Sequence, residues 1–192
     1  MKAFGFLSFG HYGHGRGPGD PDARQALKEA VEIAVGADEI GVNGAYWRVH
    51  HYTRQAAAPI PLLSAAGART RRIEVGTGVI DMRYENPLYL AEEVAALDLL
   101  TDQRIAIGIS RGSPEQALRG WETFGYTGGV DPRGVDVARA HTAQFLDAVR
   151  GVPQADLDTS GGMAPGASSR LRIEPHAPGV DRRLWWGAGS RE

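Results

Sequence analysis

Short apolar runs alternate along this chain with longer amphipathic stretches. Residues 3–9, 45–49, 72–80, 104–110 and 184–190 are the runs, rich in Ile, Val, Phe, Trp, Ala and Gly. Positions 105–109 are apolar or Gly on both alternating faces, the pattern of a strand covered on both sides in a parallel sheet. Helical patterns lie between the runs. Asp22 can cap a helix over 23–40, with Leu27, Ala30, Val31, Ala34 and Val35 on one face and Gly41 at its end. Residues 59–68 read as a short apolar helix. Asn86-Pro87 places a capping residue before a first-turn proline and predicts a helix to Leu100, with Leu90, Val94 and Leu97 inward. Residues 136–150 predict another helix, with Val137, His141, Phe145 and Val149 on one stripe. The first four strands recur at roughly 30-residue intervals, each followed by a helix, which is a βα repeat. An open doubly wound sheet and a (β/α)8 barrel both produce that repeat, and periodicity does not order the strands in space.

Two stretches break the pattern. Gly10 to Gly19 has Gly at nearly every second position plus Pro18, which suits a surface loop or lid and is neither a dinucleotide fingerprint nor a Walker loop. Residues 152–178 are rich in Gly, Pro, Ser and Asp and read as a loop excursion, with one short strand at 171–173, inside a single domain spanning 1–192.

Composition narrows the chemistry. A net charge of −2 gives no electrostatic footprint for nucleic acid or an anionic membrane. No apolar run approaches membrane-spanning length, and the first residues enter a strand directly, so a soluble cytoplasmic protein is expected. The absence of Cys excludes disulfides, thiolate metal sites and Cys nucleophiles. Lys2 and Lys28 are the only lysines and neither ends a strand, which argues against Schiff-base chemistry.

The strand ends carry the candidate chemistry. The run at 104–110 stops at Ser110-Arg111-Gly112-Ser113, and the carboxyl end of a parallel strand is where α/β proteins hold ligands. A guanidinium fork beside hydroxyls and free N–H groups suits phosphate, although an arginine at a barrel rim can equally pair with a neighbouring carboxylate. His50 and His51 end the second strand, and alternation turns them to opposite faces. Asp81, Arg83, Glu85 and Asn86 follow the third strand, and Gly189-Ser190 ends the fifth.

In order along the chain stand Gly5-Phe-Leu, Tyr46-Trp-x-x-His-His51, Val75-Gly-Thr77, Asn86-Pro-x-x-x-Ala-Glu-Glu-Val94 with Leu97-Asp98, and Gly108-Ile-Ser-Arg-Gly112. Together these pieces resemble the luciferase-like flavin-dependent monooxygenases, related to bacterial luciferase and to deazaflavin-dependent oxidoreductases. The resemblance implies a (β/α)8 TIM-type barrel with FMN at the carboxyl ends of its strands. By the same resemblance Arg111, with Ser110 beside it, looks like the arginine that binds flavin phosphate. Ser190, after Gly189, looks like a phosphate serine, and His50 like the active-site histidine. Gly78-Val79 occupies the place of a non-proline cis peptide under the flavin ring.

The implied reaction is oxygenation of a small organic substrate by O2 and reduced FMN. A flavin reductase as supplier and a homodimer belong to the same implication. A deazaflavin (F420)-dependent oxidoreductase is the alternative within the family. A non-catalytic flavin-binding remnant is another. A metal-dependent barrel hydrolase would have to use His11, His14, His50 and His51, and a Gly-rich loop holds ligands poorly. A barrel needs eight βα units and typically about 250 residues. Five predicted strands in 192 residues therefore make an incomplete barrel the expectation.

Overall fold

The computed structural model describes residues 3–13, 19–112, 116–162 and 168–187. In chain order the elements are β1 (Gly5–Ser8), α1 (Ala23–Glu39), β2 (Gly44–Trp47), α2 (Pro59–Arg69), β3 (Glu74–Asp81), α3 (Pro87–Leu100), β4 (Ile105–Ser110), α4 (Val135–Val149), β5 (Ala155–Asp156), β6 (Arg170–Leu171) and β7 (Leu184–Trp186). Short 3-10 turns lie at Gly120–Phe124 and Val180–Arg183.

Five strands form one sheet in the order β1-β2-β3-β4-β7, and every neighbouring pair is parallel. Strands in sequence order without a reversal give the wall of a barrel, not a doubly wound sheet with a switch point. One face, bearing Ala45, Trp47, Val75, Ile105 and Ile107, is buried in a single core with α1 to α4. Successive helices pack on one another along that face. The excursion forms a small antiparallel ribbon of β5 with β6.

Local signals fix the helix starts. The Asp22 carboxylate accepts the Gln25 N–H at 2.7 Å, and the Asn86 side chain accepts the N–H groups of Leu88 and Tyr89. The buried stripe of α1 is Ala26, Ala30, Ala34 and Ala37, while Leu27 is 49% exposed. Of the expected stripe Ala30 and Ala34 are buried and Val31 and Val35 half-buried, and Leu27 alone turns outward. In α4 the buried face is Ala138, Phe145, Ala148 and Val149, with Val137 and His141 at its edge.

Two carboxylates tie the layers together. Asp38 at the end of α1 accepts the N–H groups of Arg71, Arg72 and Ile73 at 2.7–3.0 Å, setting where β3 begins. Asp98 on α3, 1% exposed, receives a two-pronged hydrogen bond from Arg183 at 2.7 and 2.6 Å, and this docks the turn preceding β7.

Candidate functional site

The second face of the sheet is the concave one, and it carries the chemistry. Alternation places Leu7, then Tyr46, then Glu74, Gly76 and Gly78, then Ala106, Gly108 and Ser110, on this face. Its floor is built from glycines covered by aromatic rings. A Cβ at Gly5, Gly44 or Gly76 would come within 3.0, 2.6 or 2.8 Å of the Tyr46 ring, and one at Gly108 within 2.4 Å of Trp185. The Tyr46 hydroxyl donates to Glu74 at 2.5 Å. Burial and that carboxylate push the phenol up to about 12.

Above this floor the peptide between Gly78 and Val79 is cis, and the β3–β4 register slips between Thr77 and Ile80. Leu7, Tyr46, Glu74, Gly78, Val79, Ala106 and Trp185 line an open hollow of about 520 Å³. A larger hollow, about 710 Å³, lies on the helical side between α1 and α2, where Gly10, Tyr12, Trp47 and Gln55 to Ala58 bring the loops after β1 and β2 to it.

Beyond Ser110 the chain turns sharply. The Ser110 hydroxyl accepts the Gly112 N–H at 3.1 Å. Gly112 has φ +88°, and a Cβ there would meet the Arg83 guanidinium at 2.3 Å and the Asp81 carboxylate at 2.4 Å. Asp81 and Arg83 form a buried ion pair, joined at 2.9 and 3.1 Å from Nε and 2.5 Å from Nη2. Arg83 also donates to the Arg133 carbonyl and lies 4.7 Å over the Trp121 ring. This pair is a brace beneath the loop. Arg111 stands above it, exposed, with no hydrogen bond to any described residue.

β2 ends at Trp47, so the two histidines lie in the loop after it and not at the strand's last positions, yet their side chains part. His51 is buried, stacked on Tyr84 at 4.2 Å and met edge-on by Phe124 at 5.3 Å. His50 is half-buried, and its Nε2 accepts the Arg48 Nε–H at 2.7 Å. Burial lowers the pKa of both rings. Arg48 adds to the effect at His50, whereas Asp81 opposes it at both. Glu85, where α3 begins, goes the other way: burial, then Glu93 and Asp81, push it up to about 7.

The structure places His50 beyond the carboxyl end of β2, Ser110 and Arg111 at that of β4, and Gly78 and Val79 within β3. Gly189 and Ser190 lie outside the described residues, as does His14. Among the described residues no three His, Cys, Asp or Glu side chains converge to hold a metal. No described helix is long and apolar enough to cross a membrane. Three contributors escaped the sequence. Arg48 was signalled only by standing two residues before His50. Trp121 and Phe124 come from a 3-10 turn between β4 and α4 whose Trp-x-x-Phe spacing has no strand or helix period.

An all-parallel sheet with its strands in sequence order and helices packed on one face is the wall of a βα barrel. The chain belongs to the luciferase-like monooxygenase family, which matches residues 1–192. Among its relatives, 4-hydroxyprotoasukamycin monooxygenase of Streptomyces nodosus subsp. asukaensis is 29% identical over 145 residues, 74% of this chain and 36% of that protein. An F420-dependent glucose-6-phosphate dehydrogenase of Amycolatopsis mediterranei is 29% identical over 109 residues, 50% of this chain and 32% of that one. In structure, the oxygenating constituent of 3,6-diketocamphane monooxygenase from Pseudomonas putida, in complex with FMN, superposes with TM-score 0.65 at 21% identity. That match covers 79% of this chain and 40% of that one. The chain spans 36–41% of the length of the first two curated relatives it matches.

Proposed function

We propose that this chain carries the flavin-binding wall of an FMN-dependent monooxygenase that oxygenates a small organic substrate. The observation that carries this reading is the exposed Arg111 guanidinium, without a hydrogen bond to any described residue, held at a strand end by the Ser110–Gly112 turn. The residues present fit the cofactor. The glycine floor leaves an open apolar hollow of about 520 Å³, within the range of small-ligand sites, and a cation stands at the carboxyl end of the same wall. Arg111 would hold the phosphate with two parallel N–H···O bonds. Ser190, if its strand end comes alongside, would add a hydroxyl. Gly78 and Val79 would support the ring system, and Leu7, Val79 and Trp185 would keep water from it.

Reduced FMN supplies the reaction with dioxygen; the protein supplies orientation and a dry surface. His50 would stand beside the ring as a hydrogen-bonding partner. The name of the diketocamphane relative, an oxygenating constituent, favours a separate reductase as the source of reduced flavin. The named deazaflavin-dependent relative favours a second reading, hydride transfer with a deazaflavin on the same wall.

Arg111→Ala tests the assignment. Losing a charge-assisted two-pronged contact should weaken FMN by about 1.5–3 kcal/mol and leave riboflavin, which has no phosphate, nearly unchanged. Fluorescence titration of both flavins reads the difference. Equal weakening of the two would reject the role of Arg111, and tighter binding of a deazaflavin than of FMN would favour the second reading.

A further inference from the structure

Arg48 follows the last residue of β2, and its Nε–H donates to Nε2 of His50, two residues on, at 2.7 Å. Arginine stays protonated at every accessible pH and has no acceptor, so the direction of this bond is fixed. A histidine nitrogen that accepts must carry a lone pair. An imidazolium carries N–H on both nitrogens and has none to offer. The bond therefore selects one of three states of the ring: neutral, with the proton on Nδ1. That is the less favoured neutral form of free histidine.

The guanidinium is itself fixed. Its carbon sits 5.0 Å over the Phe9 ring, and the Arg48 backbone N–H bonds the Ser8 carbonyl on β1. The His50 backbone N–H is held by the Ala56 carbonyl across the β2–α2 loop. Nδ1 has no partner among the described residues.

We propose that Arg48 is a positioning residue that locks His50 as the neutral Nδ1–H imidazole, so that the ring presents to the ligand one hydrogen-bond donor and no base. The role toward a flavin rests on the reading above, while the protonation state itself does not. Charged and titratable groups bear on the ring from three sides: Arg48 two residues before it, His51 next along the chain, and Asp81 at the end of β3. Burial and Arg48 oppose a second proton, Asp81 favours one, and the first two win.

The consequence is chemical. A general acid must be able to lose its proton and regain it, and a general base needs a free lone pair. With Nε2 occupied by Arg48, His50 does neither at neutral pH. It donates a hydrogen bond to an electron-rich atom that gains charge during the reaction, which is electrostatic stabilisation rather than proton transfer. Its service should then be flat with pH through the neutral range, where a histidine acid or base would impose a slope.

The test is 15N spectroscopy of histidine-labelled protein without flavin, in solution or as a sediment under magic-angle spinning. His50→Gln identifies the resonances. Wild-type protein should show His50 with a bare Nε2 and a protonated Nδ1, remaining neutral below the ordinary histidine midpoint. Arg48→Met removes the donor at similar length. It should invert the ring to mainly Nε2–H and raise its midpoint towards the ordinary value. A proton on Nε2 in the wild-type spectrum overturns the proposal by itself, even if Arg48→Met does not fold. An unchanged tautomer in a folded Arg48→Met overturns it equally. FMN titration of the same samples separates the two questions: a correct tautomer with no FMN binding would reject the flavin reading and leave this one standing.

Discussion

His50 and His51, in the loop that follows β2, have opposite surroundings. His51 sits in a ring cluster with Tyr84 and Phe124, and His50 beside Arg48. His51→Ala should lower stability by about 1 kcal/mol, the scale of a ring pair, and leave flavin affinity nearly intact. In a protein with the complete barrel, His50→Ala should leave the melting temperature alone and reduce turnover by about 10²-fold, the scale of one lost charge-stabilising donor. Turnover within threefold of wild type would reject that role. Glu85 gives a second test. Its carboxyl is raised from 4.5 to about 7 in the folded chain. Between those values the unfolded chain has released a proton that the folded chain keeps, so stability falls as pH rises through that window and is flat above it. Glu85→Gln should therefore stabilise the protein at about pH 8, by on the order of 1–3 kcal/mol, and have no effect below about pH 4. Melting curves at the two pH values read this. At this scale the strand-end residues were legible, because position at the end of an apolar run is a sequence property. The lone pair accepting from Arg48 and the brace of Asp81 with Arg83 were not, since both depend on rotamers.

Elements were legible where their ends carry local chemistry. Asp22 and Asn86 start α1 and α3 where capping predicts, because the bond from cap to first turn spans only three residues. The facing of α1 was legible except at Leu27, because which stripe is buried depends on how closely a neighbour approaches. Four alanines won over Leu27 there. The stretch between β4 and α4 gave no period to read, and its 3-10 turn is placed by tertiary contacts of Trp121 and Tyr52 rather than by propensity. The loop after β4 is an element with one permitted sequence feature. Gly112→Ala puts a methyl group against the Arg83 and Asp81 side chains at a left-handed φ, so it should displace the turn that presents Arg111. FMN affinity should fall about as far as in Arg111→Ala, with the ion pair beneath disturbed as well. Wild-type affinity in that variant would show the turn to be dispensable. On the other side of the sheet, Asp98→Ala leaves Arg183 without its carboxylate. Removing one partner of a buried pair costs about 3 kcal/mol or more, so chemical denaturation should register a loss of that size and β7 should loosen first.

At the scale of the molecule, the βα repeat foretold a parallel sheet, and the strand order β1-β2-β3-β4-β7 makes it a barrel wall. What the repeat did not foretell is how such a wall stands with its concave face open. Among the described residues β1 pairs only with β2, and β7 only with β4. Each outer edge therefore presents a row of N–H and C=O groups without a strand beside it, the arrangement that templates further pairing. The same edges carry large apolar side chains: Phe4 is 63% exposed, Leu7 49%, Trp185 42% and Trp186 47%. Covering one such side chain contributes about 1.5–3 kcal/mol. Several uncovered together approach the whole stability of an ordinary domain, about 5–15 kcal/mol. The chain is matched to less than half the length of its first curated relatives. We expect the 192-residue chain alone to associate through β1 and β7 or to aggregate, and to become monodisperse when a further set of βα units is supplied in the same chain or as a second one. Weak FMN binding should persist, since Arg111 stands on this wall, while turnover should be very low because five strands enclose a substrate on one side only. Sedimentation velocity with a flavin-oxidation assay decides it. A stable monomer that turns over substrate at an ordinary enzymatic rate would show that five strands suffice, and that the open face is a working surface in its own right.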